Sequence, residues 1–166
     1  MAGDRRRGLY RSGAGQLGGL ELALSAHTLI GVDTAPFIYL WEKHPRYFSL
    51  SEILFRYFKR PGVEGLTSII TLIEVCVHPQ REGRDDLVRT YERALLFSQQ
   101  VQTLPIDAAI ARRATALRAR YGIRVPDALQ IGAALEGGAT LFVTNDRRLC
   151  KVQDVEVLVF EDHVTS

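Results

Sequence analysis

Tyr121-Gly-Ile-Arg-Val-Pro-Asp-Ala-Leu-Gln-Ile-Gly-Ala-Ala-Leu135 starts a helix and places a carboxylate in its first turn. Pro126 suits the first helical position, where the missing N–H has no intrahelical partner, and Asp127 beside it meets the positive end of the helix dipole. Ala128, Gly132, Ala133 and Ala134, with Leu129, Ile131 and Leu135 between them, predict a helix packed closely on nearly all sides. Asp127 therefore stands at the mouth of a buried helix. Taken alone it is explained by capping, since an acid in a first turn is common.

Downstream, the helix ends at Gly137-Gly138, and Ala139-Thr-Leu-Phe-Val-Thr144 reads as a buried strand with Asn145-Asp146 at its carboxyl end. Arg147, Arg148 and Lys151 fall in a short helix, and Val155–Phe160 is a last strand. Upstream, Asp107 caps a helix from Ala108 to Tyr121 that Gly122 stops. Before it, Val101–Ile106 reads as a strand near a sheet edge because of Pro105. The spacing of Leu87, Tyr91 and Leu95 predicts a helix over about 84–99. Ile69–Val77 is ambiguous between strand and helix by periodicity, with helix favoured, after a brief strand at Leu66–Ser68. Helices are also expected over about 46–60 and from Thr34-Ala-Pro36 through Trp41. Thr28–Asp33 is the first buried strand, and its last residue is an acid.

Strands that alternate with helices imply a parallel sheet covered on both faces. With 166 residues and 46% hydrophobic content, one core is the expectation. The net charge of +2 gives no global field toward nucleic acid, although basic residues outnumber acids over residues 1–60 and the reverse holds beyond. Cys76 and Cys150 lie in apolar runs without metal-type spacing and fit free thiols of a cytoplasmic protein. Residues 1–26, with Arg5, Arg6, Arg7 and Arg11 and several glycines, read as a flexible basic leader ahead of one domain over 27–166. No export signal and no membrane-length apolar run is found.

Ligands of parallel sheets bind outside the carboxyl ends of the strands, which is where Asp33 and Asp146 fall. Asp127 opens a helix from the same kind of loop, and Glu74 lies a turn or two into another helix, flanked by Ile73 and Val75. Converging carboxylates raise their own pKa values unless a positive group joins them. A hard divalent ion such as Mg²⁺ or Mn²⁺ prefers oxygen ligands and can activate a water against a phosphodiester. The hydroxyls of Thr34 and Thr144, with Asn145, are placed to orient such ligands. Apart from Arg147 and Arg148, no basic residue is expected to neutralise the four acids.

Four segments, in this order and spacing, carry a resemblance: Gly31-Val-Asp33-Thr-Ala-Pro-Phe-Ile-Tyr-Leu40, Thr67-Ser-Ile-Ile-Thr-Leu-Ile-Glu74, Arg124-Val-Pro-Asp127-Ala-Leu-Gln-Ile-Gly-Ala-Ala-Leu135 and Phe142-Val-Thr-Asn-Asp146-Arg-Arg-Leu149. From about Leu29 to Phe160 the chain resembles PIN-domain ribonucleases, most of all the VapC toxins of bacterial toxin–antitoxin pairs. The resemblance implies a three-layer α/β/α fold with a central, mainly parallel sheet of four to five strands. It implies that Asp33, Glu74, Asp127 and Asp146 are catalytic and bind Mg²⁺ or Mn²⁺, with Thr144 in support. It further implies endonucleolytic RNA cleavage by an activated water, a homodimer, and an antitoxin whose C-terminal segment covers the site.

Many relatives carry another acid shortly after the last aspartate, where this chain has Arg147-Arg148-Leu149, so a second metal would be weakly held until RNA supplies phosphate oxygens. Arg112, Arg120, Arg124, Arg147 and Arg148 are candidates for gripping RNA phosphates. Tyr39, Trp41, Tyr47, Phe48, Tyr57 and Phe58 fit a dimer or antitoxin groove better than base stacking. A non-catalytic binding module of the same fold is the alternative. A phosphatase is disfavoured, because no Gly-rich phosphate loop follows the first strand and Ala35 stands two residues after Asp33.

Overall fold

The computed structural model describes residues 14–164, with side-chain surroundings from residue 18 onward. Five strands, β1 (Leu29–Val32), β2 (Glu64–Ser68), β3 (Val101–Leu104), β4 (Leu141–Thr144) and β5 (Glu156–Val159), form one sheet in the order β3-β2-β1-β4-β5. Every pairing is parallel. The expected parallel α/β/α architecture is therefore found, with five strands. Side chains alternate across the pleat as strand geometry requires. Ile30, Val32, Leu141 and Val143 join one core cluster, whereas Phe142 joins the other, on the opposite face.

The connections are α2 (Thr34–Trp41) and α3 (Phe48–Tyr57) between β1 and β2, then α4 (Ile69–Arg81) and α5 (Asp85–Leu96) before β3. Next come α6 (Ala108–Tyr121) and α7 (Val125–Glu136), which carry the chain from edge strand β3 across to β4. Two 3₁₀ turns, Arg147–Lys151 and Phe160–His163, flank β5. Because β2 lies on one side of β1 and β4 on the other, the direction of winding reverses between β1 and β4. A crevice at the carboxyl ends of those two strands follows from this reversal.

Ile69–Arg81 is helical, which settles the ambiguous segment: Ser68 caps it by accepting from the Ile70 amide at 3.2 Å. Tyr57 and Phe58 are buried in the core, so they are not available to a partner groove as expected, while Tyr39, Trp41, Tyr47 and Phe48 are half-buried. A larger difference concerns the leader. Ala14–Leu24 is a helix, α1, and Leu20 and Leu24 are 0% exposed within the core cluster, against α3. The expectation of a flexible segment over 1–26 fails there, because two leucines one helical turn apart supply a buried stripe despite the surrounding glycines. The arginines at 5, 6, 7 and 11 lie outside the described residues.

Close approach of α7 to the sheet depends on small residues on both sides. A Cβ at Gly31 would lie 2.5 Å from the Ala134 Cβ and 2.8 Å from the Phe142 ring. Backbone atoms of α6, the Ile110 carbonyl and the Ala114 amide, would lie 3.2 and 3.4 Å from a Cβ at Gly132. Gly31→Ala should overpack this seam at a cost of about 1–3 kcal/mol and lower the melting temperature by about 2–12 °C, measurable by thermal unfolding of both proteins. An unchanged melting temperature would contradict the contact.

Candidate active site

Asp33 leaves β1 where its amide still donates to the Val143 carbonyl of β4, at 2.9 Å. Its carboxylate then caps α2, with Oδ1 accepting from the Thr34 amide at 2.8 Å. Oδ2 accepts from the Thr144 hydroxyl at 2.7 Å, and the same hydroxyl oxygen accepts from the Asp146 amide at 3.0 Å. Thr144 thus holds the two acids of the adjacent strands β1 and β4 in one frame. Burial pushes the Asp33 pKa from 3.8 up to about 6; the Thr144 and Thr34 hydrogen bonds oppose the rise, and the Glu74 and Asp127 charges add to it.

Glu74 is exposed on α4, and its Oε2 accepts from the buried Thr34 hydroxyl. Behind this pair lies a network absent from the sequence expectations. The Gln130 amide of α7 donates to Thr34 Oγ1 at 3.1 Å and to Thr71 Oγ1 at 2.7 Å. Its carbonyl accepts from the Ser68 amide and hydroxyl, at 3.3 and 2.8 Å. Thr67 donates to the Val32 carbonyl at 2.9 Å and so accepts from Thr71, at 2.7 Å. With Gln130 filling the acceptor side of Thr34, the single proton of that hydroxyl is directed at Glu74. Thr34, Thr67, Ser68, Thr71 and Gln130 are all buried.

Asp127, 9% exposed, and Asp146 complete the acidic set. All four acids line one open cleft of about 580 Å³, with Thr34, Tyr39, Asn145, Arg124 and Arg148. The expectation that only Arg147 and Arg148 could neutralise the acids is corrected at Asp127, and of those two only Arg148 reaches an acid of the set. Arg124 forks onto Asp127, Nε to Oδ2 at 2.8 Å and Nη2 to Oδ1 at 3.1 Å. Arg148 forks onto Asp146, Nε to Oδ1 at 2.8 Å and Nη2 to Oδ2 at 2.6 Å, and chiefly through these bonds holds that carboxyl below its ordinary range. Short local spacing lets both arginines fold back on their own loops.

The remaining residues sort clearly. Asn145 fixes the loop after β4 rather than the acids: it donates to the Tyr39 hydroxyl and accepts from the Glu161 amide, both at 2.9 Å. Of the arginines expected at RNA, only Arg124 and Arg148 line the cleft. Arg147 pairs with Asp162, Arg120 with Asp154, and Arg112 is exposed on α6 away from it.

The donor set fits a hard divalent ion in kind, being all carboxylate and hydroxyl oxygen, and the high Asp33 pKa marks a carboxylate that gains from a nearby cation. Among the described residues, no three His, Cys, Asp or Glu side chains stand close enough to enclose a metal ion. Two of the acids face guanidiniums instead.

A parallel α/β domain with four acids gathered at its winding reversal defines the class. A family model described as PIN domain matches residues 30–155, and the chain belongs to that family. Comparison with curated proteins gives no match. Solved structures with the same fold include a chain of a toxin–antitoxin complex from Klebsiella pneumoniae, at 20% identity and TM-score 0.58, covering 80% of this chain and 97% of that one. Others are chains of VapBC2 from Rickettsia felis bound to a DNA fragment from their promoter (17%, TM-score 0.60, 79% and 98%) and of DNA-bound VapBC from Salmonella typhimurium (18%, TM-score 0.61, 80% and 98%).

Two predictions follow from the geometry. Gln130→Ala strands buried hydroxyls and an amide, and should cost about 2–4 kcal/mol in urea unfolding; a loss below 1 kcal/mol would contradict the network. Asp33, with a folded pKa near 6 above its ordinary 3.8, binds more protons folded than unfolded between those values. Its ionisation therefore removes stability as pH rises through that window, by about 2–3 kcal/mol in full. His163, held low by burial, slopes the opposite way near pH 6.5. The Asp33 share is thus read from the difference between wild type and Asp33→Asn in metal-free buffer: the variant should gain relative stability as pH rises from about 4 to about 6.5, with little further change above.

Proposed function

We propose that the chain is a Mg²⁺- or Mn²⁺-dependent endoribonuclease, the toxin of a toxin–antitoxin pair acting in the cytoplasm. The observation that carries the proposal is the gathering of Asp33, Glu74, Asp127 and Asp146 on one cleft at the carboxyl ends of β1 and β4. These four would hold the ion, which when bound supplies an activated water and charge stabilisation at the phosphodiester. The chain's own work is positional: Thr144 aligns Asp33 with Asp146, and the Gln130–Thr34 relay aims Glu74 into the cleft. Openness of the cleft suits an extended strand of RNA, with Arg124 and Arg148 at its wall.

An antitoxin partner is supported by the complexes in which the similar folds were solved. Val77 at the cleft, with exposed Ile73 one turn earlier on α4 and exposed Val125 at the start of α7, offers apolar surface for that partner or for a second copy in a homodimer. Among the described residues, no helix is long and apolar enough to cross a membrane. The ion pairs on Asp127 and Asp146 favour one competing reading, a PIN-fold module that binds RNA without cleaving it.

Purified protein incubated with total cellular RNA and Mn²⁺ should yield discrete fragments, absent with EDTA. Asp127→Asn should reduce the rate on the order of 10²-fold or more, since a metal ligand is worth several kcal/mol in the transition state. Equal cleavage by that variant would overturn the assignment. RNA retention without turnover would establish the binding module.

A further inference from the structure

The acids of the cleft are not equivalent. Asp33 and Glu74 meet only neutral donors, the Thr34 amide and the Thr34 and Thr144 hydroxyls. Asp127 holds a guanidinium through two bonds and Asp146 through three, with Asp146 also accepting from the Arg148 amide. The forks occupy both oxygens of each carboxylate. Both arginine side chains reach in from solvent, 65% and 71% exposed, while their partners are 12% and 22% exposed. A solvent-exposed cation on an otherwise shielded anion is an arrangement that can open without disturbing the core.

We infer that Arg124 and Arg148 are internal counter-ions of the metal site, which a divalent ion must displace from Asp127 and Asp146 in order to bind. This rests on the metal-site reading of the four acids. Metal affinity is then set by an exchange of one cation for another, and the arginines weaken it. A purely structural role would have the opposite effect, because loss of an arginine that positions its aspartate for the metal would lower affinity. Arg124 lies three residues before Asp127 and Arg148 two residues after Asp146, so each pair forms within one loop and adds little to the fold.

Mn²⁺ binding to the full chain, followed by the loss of the free-ion EPR signal and by calorimetry, tests the exchange without reference to turnover. Arg124→Gln and Arg148→Gln should each tighten the dissociation constant about 2- to 10-fold, and the double variant further. Arg124→Lys and Arg148→Lys, which keep the charge and lose the fork, should fall between. Arg84→Gln, which removes the same charge from a looser exposed pair with Asp86 on α5, 3.9 Å apart, should leave it unchanged and so separate the forks from net charge. Equal or weaker Mn²⁺ binding in the Gln variants, equal tightening in Arg84→Gln, or no binding in any protein would each overturn the inference. Metal-dependent RNA cleavage by the wild type, assayed on the same preparation, stands or falls separately.

Discussion

One buried side-chain amide ties together the three crossovers that bring the cleft's elements into place. Gln130 has two donors and one acceptor oxygen, and each is used on a different part of the chain: Thr34 at the start of α2, Thr71 in the first turn of α4, and Ser68 at the end of β2. An unpaired amide in that position would cost as much as several good contacts gain, so the three crossovers are locked in one relative register or not at all. Two of the four acids stand on elements tied by this amide, Asp33 as the cap of α2 and Glu74 in the second turn of α4, and Asp127 is one helical turn before it.

That register also requires the helix to lie almost on the strand. Gly31 and Ala134 bring α7 against β1, and Gly132 admits the backbone of α6 on the other side. Small residues thus do in packing what Gln130 does in hydrogen bonding. Where larger side chains would hold α7 off the sheet, Gln130 would no longer span to Thr34 and Thr71 together. Close packing and polar satisfaction are therefore a single constraint here, and the sequence meets it with residues of little individual character.

The parallel sheet and the placement of the acids were legible because both follow from short apolar runs ending in Asp33 and Asp146, and from Pro126-Asp127 opening a helix; the strand order was not, since no local pattern says which strands pair. The network was less so, although a signal existed: Gln130 is the one polar side chain in the middle of an otherwise small and apolar helix, and Thr67, Ser68 and Thr71 are spaced to share the first turn of another. Hydroxyls carry no charge, so nothing in their pattern distinguishes a satisfied core from a solvated turn. Arg124 and Arg148 were read as phosphate grips because a sequence gives a guanidinium's charge and not its direction. α1 escaped because its leucines are interspersed with glycines and do not mark one face, and the burial of Leu20 and Leu24 depends on the surface that α3 offers.

The two pairs of acids solve the same electrostatic problem differently. Four carboxylates around one cleft repel one another, and the repulsion is relieved either by protonation or by a cation. Asp33, half-buried and without a basic partner, takes the first route: desolvation chiefly, with the Glu74 and Asp127 charges adding to it, raises its pKa to about 6. Asp146, reached by an arginine from solvent, takes the second and titrates below its ordinary range. A divalent ion arriving at neutral pH meets both, and the two differ in what it must remove: a proton from Asp33 in the fraction that still carries one, a guanidinium from Asp127 and Asp146. Lowering the pH therefore weakens binding through Asp33, whereas raising monovalent salt screens the exposed forks and the incoming ion alike. Acidity and ionic strength thus act through different acids of one cleft.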